Sequence, residues 1–251
     1  TVTGGILTNF SSSSAFDYSA IFTPSIDGMI TIDVASNTFT DKEGRNNIEA
    51  RQFIWTYDSK APQLSITANN DQNQVSDGQI INDDYLLFTF TFNEIVRDFV
   101  FEDLNVVGGI ISEFKSVSSE LYSAKFATST DAFCSIEVDT ATFTDAAGNV
   151  NQTMRKFNWI YDGTPPIISV SATDGNQNLF KGDSTKESFL TFNFISNEET
   201  TNFDLEDIET EGGGFTSFSK IDYETFSGTF FSYGSNDEKS IFIDINTYED
   251  A

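Results

Sequence analysis

Residues 143–162 read FTDAAGNVNQTMRKFNWIYD, and residues 39–58 read FTDKEGRNNIEARQFIWTYD. The two stretches are related by a displacement of 104 positions. The match continues without a gap from Val2/Val106 to Asp58/Asp162. Across residues 1–58 and 105–162, 26 of 58 pairs are identical, which makes this an internal repeat and not a chance echo. A period near 100 residues is the size of one small domain, so the chain of 251 residues reads as about two and a half tandem units.

A third copy follows the same order. Phe192 and Phe194 answer Phe90 and Phe92 at an offset of 102. Phe203, Glu206, Asp207 and Gly212 answer Phe99, Glu102, Asp103 and Gly108 at 104. Tyr248 and Asp250 answer Phe143 and Asp145 at 105.

Within each copy, apolar and polar residues alternate with period two. Phe88–Phe92 reads FTFTF, and Phe16–Phe22, Phe53–Tyr57, Phe157–Tyr161 and Ile241–Ile245 follow the same rule. Successive side chains on a strand point to opposite faces, so each run offers one face to a core. Gly4-Gly5, Gly108-Gly109, Gly212-Gly213-Gly214, Asp27-Gly28 and Asp77-Gly78 separate the runs as turns. No long run of helical period appears. About seven short strands per hundred residues is the pattern of an immunoglobulin-like sandwich. The expected fold is therefore all-β: tandem immunoglobulin-like antiparallel β-sandwich domains in an elongated array.

Three of the four prolines fall at Tyr57–Pro62 and Tyr161–Pro166, and a strand restarts almost at once at Leu64 and Ile168. Proline fixes φ and ends strand pairing, so these are short, stiff links. The domains are expected at 1–59, 60–163 and 164–251. Thr1 falls in the phase of Asn105. The first unit is thus expected to lack its opening strands, and the third its closing strand. Two explanations stay open: an excerpt of a longer array, or strand exchange that builds a filament from subunits.

The net charge is −26, from 13 basic and 39 acidic residues. Nucleic acid is excluded as a partner, since phosphate binding needs clustered Lys and Arg. No apolar run is long enough for direct membrane insertion. The chain has no histidine, which removes His-based acid–base work, the usual nucleophile triads and most zinc sites. No phosphate-binding glycine loop is present. With 39 acids, some carboxylate pair always lies at a suitable spacing, so pairs say nothing about glycoside hydrolysis. The chain is expected not to be an enzyme. Cys134 is the only cysteine; its counterpart is Ile30, so it reads as a small buried hydrophobe.

The segments FTFNEIV (90–96), FEDLNVVGG (101–109), FTDAAGN (143–149) and YDGTPP (161–166) resemble the bacterial immunoglobulin-like, cadherin-like repeats of large cell-surface adhesins. That resemblance implies an extracellular, cell-surface structural protein serving as an adhesin stalk or filament subunit. Its partners would be neighbouring copies of itself or further repeats of the same chain. The alternative is an adhesion module that binds cell-surface or matrix glycans, or a protein.

The resemblance also implies calcium at the interdomain junctions. Carried over, the link acids are Asp58 and Asp162, and the acids of the adjoining domain ends are Glu94, Asp103, Glu198 and Asp207. Calcium takes several hard oxygens, and convergent carboxylates repel one another until an ion arrives. The turn Asp145–Asn149 is set aside as a site: its first copy places Arg45 where the second has Asn149, and a cation beside Arg is disfavoured. Trp55 and Trp159 alternate with Phe and Tyr on one strand face and read as core, not as sugar platforms. Asn9-Phe-Ser11 and Asn151-Gln-Thr153 fit the glycosylation pattern.

Overall fold

The alternation in residues 85–92 decides which face is inside. In the computed structural model, which describes residues 1–234, 238–244 and 247–249, Phe88, Phe90 and Phe92 are buried while Leu87 and Thr91 face outward. The Tyr85–Phe92 strand lies in the middle of a five-stranded antiparallel sheet. The order is Ile110–Ser118, Leu121–Ala127, Tyr85–Phe92, Leu64–Asn69, Gln74–Val75. Facing it is a four-stranded sheet ordered Leu104–Val107, Ala132–Val138, Arg155–Tyr161, Ile80–Ile81. Only the last pairing, Ile160↔Ile80, is parallel. The two inner faces meet through rings: Phe88 lies 5.5 Å from Phe157 and 5.3 Å from Trp159 of the facing sheet. This is an Ig-like sandwich, with its apolar layer formed by alternate residues of both sheets.

The flanking copies repeat parts of that plan. Residues 1–57 supply a three-stranded sheet, Val2–Thr3, Gly28–Ile32 and Phe53–Tyr57, and a hairpin of Gly5–Ser12 with Tyr18–Pro24. Beyond residue 163, a five-stranded sheet is ordered Asn178–Leu179, Ile168–Thr173, Phe189–Ser196, Thr225–Ser232, Gly213–Lys220. A two-stranded pair joins Ile208–Glu211 to Ser240–Ile243. The chain divides into two compact units, Thr1–Gly163 and Thr164–Ala251.

In each copy one strand leaves its sheet and continues in the other across a glycine pair. Leu104–Val107 belongs to one sheet and Ile110–Ser118 to the opposite one, with Gly108 at φ 81° between them. A Cβ on Gly109 would run into the Phe126 ring and the Ala127 carbonyl. Gly5 sits in the same way against Phe22 and Thr23, and Gly213 against Phe230 and Phe231. The crossing brings the backbone onto the neighbouring strand, and only glycine leaves room.

Cys134 is fully buried, as is its counterpart Ile30. Trp159 is buried, and Trp55 packs on Phe22 at 5.0 Å and on Phe53 at 5.4 Å. Two expected strands shift. The Phe16 run begins pairing at Tyr18, because Phe16 belongs to the turn closed by Ser14 and Asp17 and is 91% exposed. The Ile241 run is observed as Ser240–Ile243; Ile245 and Asp250 lie outside the described residues.

Candidate metal centre

Three acids converge where the first copy hands over to the second. Asp58 directly follows the Phe53–Tyr57 strand, and its Oδ1 accepts the Lys60 N–H at 3.0 Å. Glu94 comes just after the Tyr85–Phe92 strand. Asp145 is fixed inside a tight turn whose backbone needs Gly148 at φ 94°. Its Oδ1 accepts the N–H groups of Ala147, Gly148 and Asn149 at 2.8, 2.7 and 2.9 Å, and its Oδ2 accepts Asn149 Nδ2 at 2.8 Å. The same Nδ2 also donates to the Asp58 carbonyl at 3.2 Å, tying the turn to the link. One carboxylate oxygen each from Asp58, Glu94 and Asp145 lies within 4.8 Å of the other two. Asp145 is buried, and Asp58 and Glu94 are half-buried.

The electrostatics follow from that crowding. Burial pushes the Glu94 carboxyl above its ordinary 4.5, and the Asp58 and Asp145 charges add to the effect. Its hydrogen bond with Asp58 also favours the protonated form, while the Asn93 amide opposes it weakly. Burial pushes Asp145 the same way, but the hydrogen bonds from Asn149, Ala147 and Gly148 outweigh it and hold Asp145 below its ordinary 3.8. Among the described residues, no Lys or Arg forms an ion pair with any of the three. The set therefore offers hard oxygen donors with uncompensated negative charge, which suits a divalent cation such as calcium. In the first copy the equivalent turn is satisfied from within. Arg45 Nε donates to Asp41 Oδ2 at 2.7 Å, and those Arg45 hydrogen bonds lower the Asp41 carboxyl.

Of the acids named from sequence, the structure brings Asp58 and Glu94 together. Asp145, set aside in the sequence reading, completes the group. The signal for it was present: Asp145-Ala-Ala-Gly-Asn149 is a turn that buries its aspartate, and the substitution at position 45 concerns only the first copy. Asp103 is elsewhere. It ends a short 3-10 helix, Phe101–Asp103, where its Oδ2 accepts the Val100 N–H at 2.8 Å; burial raises its carboxyl first, against that bond. Asp207 makes the same cap on Asp204, at 2.8 Å. Asp162 continues the end of its strand through its N–H to the Ile81 carbonyl at 2.9 Å. Glu198 Oε1 lies 3.5 Å from Asn197 Nδ2. Asp162 and Glu198 belong to different compact units.

The two candidate glycosylation sites part company. Asn9 is exposed, at φ 54° in the bulged strand Gly5–Ser12. Asn151 is buried, its Oδ1 accepting the Thr142 and Phe143 N–H groups and its Nδ2 donating to the Asp139 carbonyl at 2.7 Å. In the folded domain its amide oxygen and amide nitrogen are both engaged, and the side chain braces the turn. Asn47 braces the first-copy turn through the same three bonds, to Thr38, Phe39 and Ala35. The open groove of about 490 Å³ along Gln63–Ile66, Phe92, Arg155 and Lys156 has no carboxylate in its wall.

No curated protein and no solved structure matches the chain. No helix among the described residues is long and apolar enough to cross a membrane. Domains of the Ig-like type are typically without catalysis. Residues 58–160, which hold the whole acidic group and nearly all of the sandwich, match the family model described as a bacterial Ig-like domain.

Proposed function

We propose that this chain is a structural segment of a bacterial cell-surface protein, a run of Ig-like repeats that serves as an adhesin stalk or filament subunit. In this reading, calcium at Asp58, Glu94 and Asp145 stiffens the handover between the first copy and the second. The observation that carries it is the convergence itself: an acid of the link is held against two acids of the following domain. A bound cation would draw the link onto that domain and cancel the repulsion that adds to burial in raising Glu94. Further repeats, of this chain or of neighbouring copies, are the partners such a segment would have.

The test is thermal unfolding with calcium and with excess chelator. Calcium is expected to raise the melting temperature of the wild-type chain and to leave Glu94→Gln much less affected. Identical curves with and without chelator would remove the cation from the proposal. A glycan array with the purified chain is expected to be silent. Specific micromolar binding there would favour an adhesion module over a stalk.

A further inference from the structure

The second copy, whose two sheets are both formed, leaves one of its sides half closed. Leu64–Asn69 is paired on its outer side by Gln74–Val75 at Ala68 and Asn69 alone. Arg155–Tyr161 is paired on its outer side by Ile80–Ile81 at Ile160 and Tyr161 alone, with Asn158 held by Asp77 and Gly78. Residues 64–67 and 155–157 remain as open strand edges, and the groove of about 490 Å³ is bordered by both. The backbone of the first edge is aimed into it. The Asn93 N–H donates to the Gln63 carbonyl, so in the antiparallel ladder Gln63, Ser65 and Thr67 turn their polar groups towards Tyr85–Phe92. Leu64 and Ile66, the alternate residues, turn theirs to the groove. The Leu64 carbonyl accepts Arg155 Nε there at 2.8 Å. The Ile66 N–H and carbonyl have no strand opposite them, so an extended segment has room to pair at Ile66 as Val75 does at Ala68.

The charge of the groove runs against that of the chain. Acidic residues outnumber basic ones 39 to 13, yet the groove wall holds Arg155 and Lys156 and no carboxylate. Lys156 is already paired, its Nζ 3.2 Å from Glu137 Oε2. Arg155 is different. Among the described residues it forms no ion pair, and of the four arginines it alone is not exposed. The bond from Nε to Leu64 fixes its guanidinium beside the open edge and leaves its two terminal nitrogens without a protein partner. A planar, fixed and half-buried fork of N–H donors matches a carboxylate, which it holds through two parallel hydrogen bonds. A charge that only guarded the edge against pairing would serve as well exposed and mobile.

We propose that this groove docks an extended segment of a partner protein that carries a carboxylate, the side chain of a Glu or Asp. The segment adds along residues 64–67, its backbone pairing at Ile66 while its carboxylate closes on the terminal nitrogens of Arg155. An apolar neighbour of that acid rests on the half-buried Ile66. A sugar acid or a small anion would meet Arg155 but leave the Ile66 groups unpaired, which is why a polypeptide is the better fit. The site goes beyond the stalk reading, and neither calcium nor the number of repeats enters it.

The probe is the capped peptide acetyl-Val-Thr-Val-Glu-Val-Thr-Val-amide, titrated into the full isotope-labelled chain and read by amide and arginine Nε–H resonances. Salt is held at about 0.15 M to screen the repulsion between an acidic chain and an acidic peptide. Chelator is present throughout, so that the glutamate cannot act through a cation at Asp58, Glu94 and Asp145. Saturable shifts are expected at Leu64–Thr67 and at Arg155 Nε–H. The same peptide with Gln in place of Glu is expected to bind about tenfold more weakly, since it loses the charge-assisted pair. Arg155→Lys keeps a positive charge but removes the fork, and the same loss of about tenfold is expected for the Glu peptide. Should Arg155→Lys fail to fold, the Glu and Gln peptides on the unmodified chain decide the matter by themselves. Equal binding of the two peptides, shifts that map away from Leu64–Thr67, or no shift at millimolar peptide overturns the proposal. So does acetate or glucuronate binding as tightly as the Glu peptide, because the strand edge would then contribute nothing.

Discussion

Glu94 is a residue whose ionisation the fold works against. Its carboxyl is held above 4.5 in the folded chain, so folding favours its protonated form. The stability this contributes is complete below the unfolded value and is lost as pH rises through the higher folded one. In chelator, wild-type stability relative to Glu94→Gln is therefore expected to fall as pH rises above the ordinary 4.5. Calcium should shrink or reverse that difference; urea titrations at several pH values read it directly. Asn151 is the contrasting case, a buried polar residue whose amide oxygen and nitrogen are both hydrogen-bonded. Asn151→Ala strands the Thr142 and Phe143 N–H groups, and a loss of about 2 kcal/mol is expected in denaturant unfolding. The half-buried Asn47 makes the same bonds, so Asn47→Ala should cost less. A larger loss at Asn47 would mean that burial does not set the scale.

The glycine crossings are the element on which the sandwich turns. Gly4-Gly5, Gly108-Gly109 and Gly212-Gly213 each pass one strand from one sheet to the other, with the first glycine at positive φ and the second pressed onto a neighbouring strand. Gly109→Ala is expected to destabilise residues 60–163 by about 1–3 kcal/mol through overpacking against Phe126 and Ala127. Gly148→Ala tests the neighbouring case. A Cβ there meets nothing within 4 Å, so its cost is confined to the φ of 94°. If the two substitutions cost the same, backbone strain alone explains both and the close approach at Gly109 is immaterial. The period-two runs were readable because each strand in a sandwich has one wet face and one dry face. The start at Tyr18 was not, because Ser14 and Asp17 close a turn that only their mutual hydrogen bonds reveal.

At the scale of the molecule, the two compact units have unequal cores. Residues 64–161 bury a continuous set from Leu64 to Tyr161, whereas beyond residue 164 the packed set centres on Phe194, Phe203, Ile208 and Phe226. Both tryptophans lie in the first unit, so their fluorescence reports that unit alone. In a urea titration, far-ultraviolet circular dichroism is expected to begin falling before tryptophan fluorescence, as the second unit opens first. Coincident curves would show one cooperative body instead. The sequence by itself determined the all-β class, the repeat, the link positions and the buried face of each strand. These are properties of spacing, and spacing survives in one dimension because strand geometry is local. It also put Asp58 and Glu94 forward, through a resemblance. Only the tertiary structure decided that Asp145 joins them while Asp103 and Asp207 cap short helices, and that Phe53 is exposed where the identical Phe157 is buried. Convergence of side chains 36 and 51 positions apart, and the covering of a face by a distant strand, depend on how sheets stack, which no local pattern records.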